Sequence, residues 1–304
     1  MSPGTTDEQV SIGAPSGDGR FHLAGRSIHL DPRVHAIRSD LADVALAGVL
    51  FAPHYARPRI RRLTALSAPL RANPKLQAGA VSELLMGEEF AVVDVAGGWA
   101  WGYCRHDHYV GYLPAELLGE AAAPTHVVSA PAALVFERAD IKSPVVARWA
   151  MGVRFSGLME DGFVRSDAGF IHARHVTTVD AADGDPVAIA LSLVGQPYRW
   201  GGRSGDGLDC SGLIQLALAG RGIAAPRDSD QQRNGLGVLL DDNASLRRGD
   251  LVFFPGHVGL MVDGERIVHA NAYWMAVTVE PLADVVARLA GDHDQPILAR
   301  RRLK

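Results

Sequence analysis

The chain has 304 residues, 47% apolar and 21% charged, with a formal net charge of −4. That is enough apolar sequence for two or three domains, and the charge gives no electrostatic case for nucleic acid or an anionic membrane as partner. Its two cysteines, Cys104 and Cys210, are so widely separated in sequence that they are poor evidence for a disulfide framework. No Cys-x-x-Cys or Cys-His spacing suggests zinc, so no metal or cofactor is expected, and the chain is expected to be a monomer.

Residues 1–25 are rich in Gly, Ser, Asp and Thr and read as disordered. They lack the basic start, apolar core and cleavage site of a secretory signal, so the cytoplasm is the expected location, with the periplasm or cell exterior as the alternative. Asp31 to about Leu50 has an apolar spacing compatible with one helix, making residues 1–57 an N-terminal extension, partly disordered and then helical. After Pro58 the character changes. Phe90–Ala96, Gly98–Cys104 and Tyr109–Leu113 are short strands with turn residues between them, as expected of a small barrel over 58–121, and Cys104 reads as a packed strand residue. The ending of this unit recurs 58 residues later: Gly111-Tyr-Leu-Pro-Ala-Glu-Leu-Leu118 aligns with Gly169-Phe-Ile-His-Ala-Arg-His-Val176. A second small barrel is therefore expected over 122–182. The basic clusters Arg57–Arg62 and Arg300–Arg302 read as solvated faces or domain contacts rather than a phosphate-binding surface.

Asp180-Ala-Ala-Asp-Gly-Asp185 is the expected linker, with Asp185 capping and Pro186 opening the first helix of a third domain, 183–304. Helices over Pro186 to about Val194 and Cys210 to about Ala219 precede antiparallel strands from Asp250 onward. This segregation predicts an α+β domain rather than a doubly wound sheet. Gly201–Gly207 lacks the lysine of a phosphate loop and follows no convincing strand, so it reads as an active-site loop.

Chemistry concentrates at Cys210. Asp209 is a good N-cap, which puts the thiol in the first helical turn, where backbone N–H groups and the helix dipole favour an anion. Downstream, His257–Met261 and Glu265–His269 form a hairpin signal. If Val262-Asp263-Gly264 is the loop, with Gly264 left-handed, His257 faces His269 directly; a two-residue Asp263-Gly264 loop would send the rings to opposite faces. The first arrangement makes His257 a base and His269 the group that orients it. The ordered Cys, His, polar series reads as a cysteine hydrolase.

Six short motifs in order, Gly195-Gln-Pro-Tyr-Arg-Trp-Gly-Gly202, Asp209-Cys-Ser-Gly212, Pro226-Arg-Asp-Ser229, Arg248-Gly-Asp-Leu251, His257-Val-Gly259 and His269-Ala270, closely resemble the NlpC family of cell-wall peptidases in the papain-like superfamily. The two small β units resemble bacterial SH3 domains, which often accompany such catalytic units. The resemblance implies a papain-like catalytic domain behind two small SH3-like barrels and an N-terminal helical segment. It also implies hydrolysis of the γ-D-glutamyl to diamino-acid bond of peptidoglycan stem peptides. It makes Cys210, His257 and His269 catalytic and Tyr198 the oxyanion-stabilising phenol. In family members with tandem SH3 domains a free L-Ala amine is held by the positions matching Asp209, Glu88 and Tyr109, with Glu83 and Glu89 as neighbours that a loop shift would exchange for Glu88. Ser211 and Ser229 match substrate-contacting positions, and Trp200 joins them in the substrate site. Three other readings stand beside recycling of free stem peptides: an exported wall-remodelling hydrolase anchored by the SH3 pair, a catalytically silent wall-binding protein, and an acyltransferase.

Overall fold

The computed structural model describes residues 30–303, so the disorder expected of residues 1–25 lies outside the described residues. From Asp31 to Leu50 there is no α-helix, a correction to the periodicity reading. The segment is a turn, a short strand Leu41–Asp43 paired in parallel with His54–Ala56, and a single 3-10 turn over Val44–Leu46. Asp43 caps that turn through the Ala45 N–H, and Gly48 at φ 85° reverses the chain before a helix could continue. The apolar residues that mimic a helical stripe instead pack Ala36 and Leu41 with Val93 and Trp101 of the first sheet, and Ala42 is buried as well.

The first β region is one open seven-stranded sheet. Glu89–Ala96 pairs with Trp99–Cys104 through Gly97-Gly98, both at positive φ, the two-residue turn whose twist suits a tight hairpin. Val110–Pro114 completes the meander. Cys104 is fully buried among Leu63, Leu70, Phe90 and Leu113. Residues 126–178 form a three-stranded and a five-stranded sheet. The repeat seen in sequence has a structural counterpart: Val110–Pro114 runs into a 3-10 turn at Ala115, and Gly169–His172 runs into one at Ala173. Among the described residues no sheet closes into a barrel, which corrects the expectation of two closed units. In the first, Ala80–Leu85 and Leu118–Gly119 end the sheet without pairing to each other.

The last region is α+β. Helices α1 (Pro186–Ser192) and α2 (Cys210–Ala219) lie on one face of a six-stranded antiparallel sheet, and α4 (Leu282–Leu289) covers the other. The order across the sheet is Val238–Leu239, Ala299–Arg302, Asp250–Phe254, His257–Met261, Arg266–Asn271, Ala276–Pro281. Asp185 accepts from the Val187 N–H and Pro186 opens α1. Arg302 of the basic C-terminal cluster is paired with buried Asp250 at 2.7 Å. A short helix α3 (Ser229–Gly235) follows α2 and packs on its start, Gln232 Nε2 donating to the Ser211 carbonyl at 3.0 Å.

Buried polar contacts join the first sheet to this region. Arg203 pairs with Glu88 at 3.0 Å, both nearly inaccessible, while Glu83 accepts from the Arg203 backbone N–H at 2.7 Å and from Ser204 Oγ at 3.1 Å. Arg227 Nε donates to Ser82 Oγ at 3.0 Å, and Gln215 Nε2 to Asp107 Oδ2 at 2.9 Å. Buried charges persist only when paired in this way.

Candidate active site

Asp209 ends the short hairpin arm Gly207–Leu208 in extended conformation and caps α2, its Oδ1 accepting from the Gly212 N–H at 2.8 Å. Cys210 is therefore the first helical residue, free and buried. Burial and the neighbouring Asp209 push its thiol up to about 11, against the Val258 and Ser211 backbone N–H groups, which favour the anion. The helix start alone does not ionise this sulfur. At His257 burial also favours the neutral form: it and the neighbouring His269 hold the imidazole down to about 3.

The two histidines share one sheet face, but in a register other than the expected one. Leu260 pairs with Val268 and Met261 with Ile267, so His269 stands opposite Gly259 and His257 meets it diagonally. Asp263 causes the offset. Its carboxylate accepts from the Glu265 and Arg266 N–H groups at 2.9 and 2.8 Å and pairs with the Arg266 side chain, moving the loop one residue on. Gly264 accordingly is not left-handed. An even shift keeps the face, so the rings still meet, His257 Nε2 lying 2.8 Å from His269 Nδ1. Gly259 leaves the room required: a Cβ there would come within 2.5 Å of Ile267 Cδ1 and 3.2 Å of His269 Cβ.

His269 is 1% exposed, and its Nε2 lies 3.0 Å from Glu280 Oε1. Glu280 also bonds Arg288 of α4. Burial alone would raise the Glu280 carboxyl, but hydrogen bonds from Arg288, Trp274 and His269 bring it down to about 2. Sequence reasoning missed Glu280 and Arg288, since ordinary strand and helix residues carry no motif.

Tyr198 is half-buried beside this group, its N–H bonded to the Met275 carbonyl at 2.9 Å, and burial followed by Cys210 and Asp209 raises its phenol to about 12. Trp200, two residues on, is 71% exposed.

The residues expected to meet a substrate amine are each held by protein partners. Asp209 is 6% exposed and both oxygens are held by Arg227, Oδ1 at 2.9 Å and Oδ2 at 2.5 Å, with the Gly201 N–H also on Oδ2. Ser211 Oγ accepts from the same arginine at 2.8 Å. Glu88 is locked to Arg203, Glu83 to Arg199 and Arg203, and Glu89 to Arg62, so none of the three glutamates offers an unpaired carboxylate. A buried acid needs a resident cation, and these arginines supply it. Tyr109 does lie at the junction, its hydroxyl donating to Asp228 Oδ2 at 2.9 Å, with Ser229 opening α3 beside it. Arg33 reaches the same oxygen at 2.8 Å and also pairs with Asp31 and Asp230. Three carboxylates surround one guanidinium at this corner, so carboxylates outnumber their cation, although burial pushes the Asp228 carboxyl above its ordinary value.

Comparison with known proteins agrees with this layout. Residues 195–287 match the NlpC/P60 family, and residues 70–118 match the bacterial dipeptidyl-peptidase Sh3 domain. A dipeptidyl-peptidase 6 of Lysinibacillus sphaericus is 28% identical over 248 residues, 72% of this chain and 90% of its own. A gamma-D-glutamyl-L-lysine dipeptidyl-peptidase of Bacillus subtilis (strain 168) is 29% identical over 236 residues, 67% of this chain and 77% of its own. A probable endopeptidase NlpC homolog of Haemophilus influenzae is 30% identical over 135 residues, 43% of this chain and 72% of its own. The crystal structure of an NlpC/P60 family protein from Bacillus cereus ATCC 10987 shares the fold, with a TM-score of 0.67 at 22% identity over 80% of this chain and 99% of that one.

Proposed function

The chain belongs to the NlpC/P60 peptidase family, and on that premise we propose that it hydrolyses the γ-D-glutamyl to diamino-acid bond of peptidoglycan stem peptides bearing a free N-terminal L-Ala. The observation that carries this reading is Cys210 at the start of α2, against the N–H of the residue that follows His257, whose ring is bonded to His269. His257 takes the thiol proton, and the sulfur attacks the γ-glutamyl carbonyl. Tyr198 donates to the developing oxyanion. The tetrahedral adduct collapses to a thioester as the departing amine receives the proton from His257, and water then releases the glutamyl product. Burial disfavours each charge of the thiolate–imidazolium pair taken singly, so the proton must pass between partners that stabilise each other.

The free amine of L-Ala is assigned to the acidic corner made by Asp228, Asp230 and Tyr109, where carboxylates outnumber their cation, rather than to Asp209 or Glu88. Ser229, which opens α3 next to Asp228, and exposed Trp200 are kept as substrate contacts in this reading, whereas buried Ser211 holds Arg227. Recognition of a free terminus suits recycling of peptides already cut from the wall, and in this reading the enzyme works in the cytoplasm. The test compares L-Ala-γ-D-Glu-diaminopimelate with its N-acetyl derivative: cleavage of the free-amine peptide alone supports recycling, whereas equal cleavage rejects the amine site and favours a wall-remodelling enzyme.

A further inference from the structure

The two histidines are part of a longer chain than a dyad. His257, His269 and Glu280 sit on three successive strands and share the sheet face covered by α4, each link stepping diagonally to the next strand. His257 Nε2 is 2.8 Å from His269 Nδ1, and His269 Nε2 is 3.0 Å from Glu280 Oε1. Arg288 holds the other oxygen of Glu280, and its guanidinium lies 3.9 Å from the centre of the Tyr273 ring. Thr278 Oγ1, fixed by Asn271 Nδ2 at 2.8 Å, is 3.4 Å from Glu280 Oε1.

Proton bookkeeping along this chain has one solution for neutral rings. An ionised carboxylate only accepts, so His269 Nε2 must carry hydrogen. Its Nδ1 is then a lone pair and accepts from His257 Nε2–H. That leaves the lone pair of His257 on Nδ1. We infer that Glu280 is a positioning residue for catalysis: its carboxylate fixes both tautomers, so that His257 meets the thiol with Nδ1 as the base, and it compensates the positive charge that the rings acquire when the thiol is deprotonated. This role rests on the reading of Cys210 as nucleophile and His257 as base. The ionisable groups facing the rings are Glu280 from the neighbouring strand and Arg288 from α4; Cys210, Asp209 and Tyr198 lie on the thiol side. Arg288 opposes protonation of the rings, so the carboxylate is the group that favours it.

Two measurements test the role. In the wild-type protein, nitrogen-15 spectra of the imidazoles at neutral pH should show Nε2–H on both His257 and His269, which needs no variant to fold. Nδ1–H on either ring overturns the inference. In Glu280→Gln the shape is kept and the charge lost, so kcat on L-Ala-γ-D-Glu-diaminopimelate should fall about 10-fold or more while KM stays within about twofold. The ultraviolet titration of the Cys210 thiolate should move to higher pH, because the imidazolium partner loses its counter-charge. A merely structural role would lower the melting temperature without moving that titration. Unchanged kcat and an unchanged titration in a folded variant also overturn the inference. Cys210→Ala, assayed alongside, separates the two levels: turnover surviving there removes the premise, whereas its loss together with a silent Glu280→Gln removes only the role of Glu280.

Discussion

Replacing Arg227 by Met should destabilise the protein by about 3 kcal/mol, at the lower end of the range for breaking a buried ion pair. Arg227 is 1% exposed and makes four hydrogen bonds: two to Asp209, one to Ser211 Oγ and one to Ser82 Oγ. Methionine roughly fills the stem but leaves Asp209 without its cation. Two features soften the loss. The Gly201 and Gly212 N–H groups still donate to the carboxylate, and the start of α2 still favours an anion. Asp209→Asn alone should also be costly, because it strands the buried Arg227 guanidinium, although the amide oxygen keeps part of the cap. The double variant should then be more stable than the sum of the single losses predicts, by about 1–3 kcal/mol, because the second change removes the stranded charge left by the first. Urea unfolding followed by tryptophan fluorescence gives all three values. A loss below about 1 kcal/mol for Arg227→Met, or strict additivity, would refute the view that this pair holds the cap of the Cys210 helix in place.

Two further outcomes are expected. Cys210→Ala should abolish turnover while shifting the melting temperature little, since one sulfur is removed from beside Tyr198 and core residues; residual turnover assayed with the free-amine peptide would reject the nucleophile assignment. Burial holds His257 to about 3 against an ordinary value of 6.5, so below about pH 6.5 the unfolded chain binds a proton that the folded one refuses. Stability from this group is complete above that value and falls as the pH drops toward 3, by at most about 1.4 kcal/mol per pH unit. Thermal melts at stepped pH should show a shallower acid loss in His257→Gln, and identical curves would contradict it.

What the sequence carries plainly is local. Asp209 before an apolar run announces α2 to the residue, and Gly97-Gly98 between alternating segments announces a hairpin. The face shared by His257 and His269 follows from an even offset, but its size does not. Asp263 capping two backbone N–H groups sets the register, and an Asp-Gly pair permits more than one loop. The Asp228…Gln231 capping box marks α3, though seven residues give little periodicity to read. Pairings such as Glu88 with Arg203, 115 residues apart, have no local signature, so Glu83, Glu88 and Glu89 look equally free in one dimension. Residues 31–50 fail for the opposite reason: an apolar rhythm there serves contacts with the first sheet, not a helix of its own.

The glutamate clamp on Arg203 also limits how the chain can be rearranged. Fragments cut near residue 183 would strand a guanidinium on one piece and two carboxylates on the other, each in a pocket shaped for a neighbour that has gone. A chimera that exchanges the leading sheet for that of a relative must therefore import compatible acids at both positions, or replace Arg203 as well. The β region is in this sense a structural subunit of the hydrolase rather than an appendage to it.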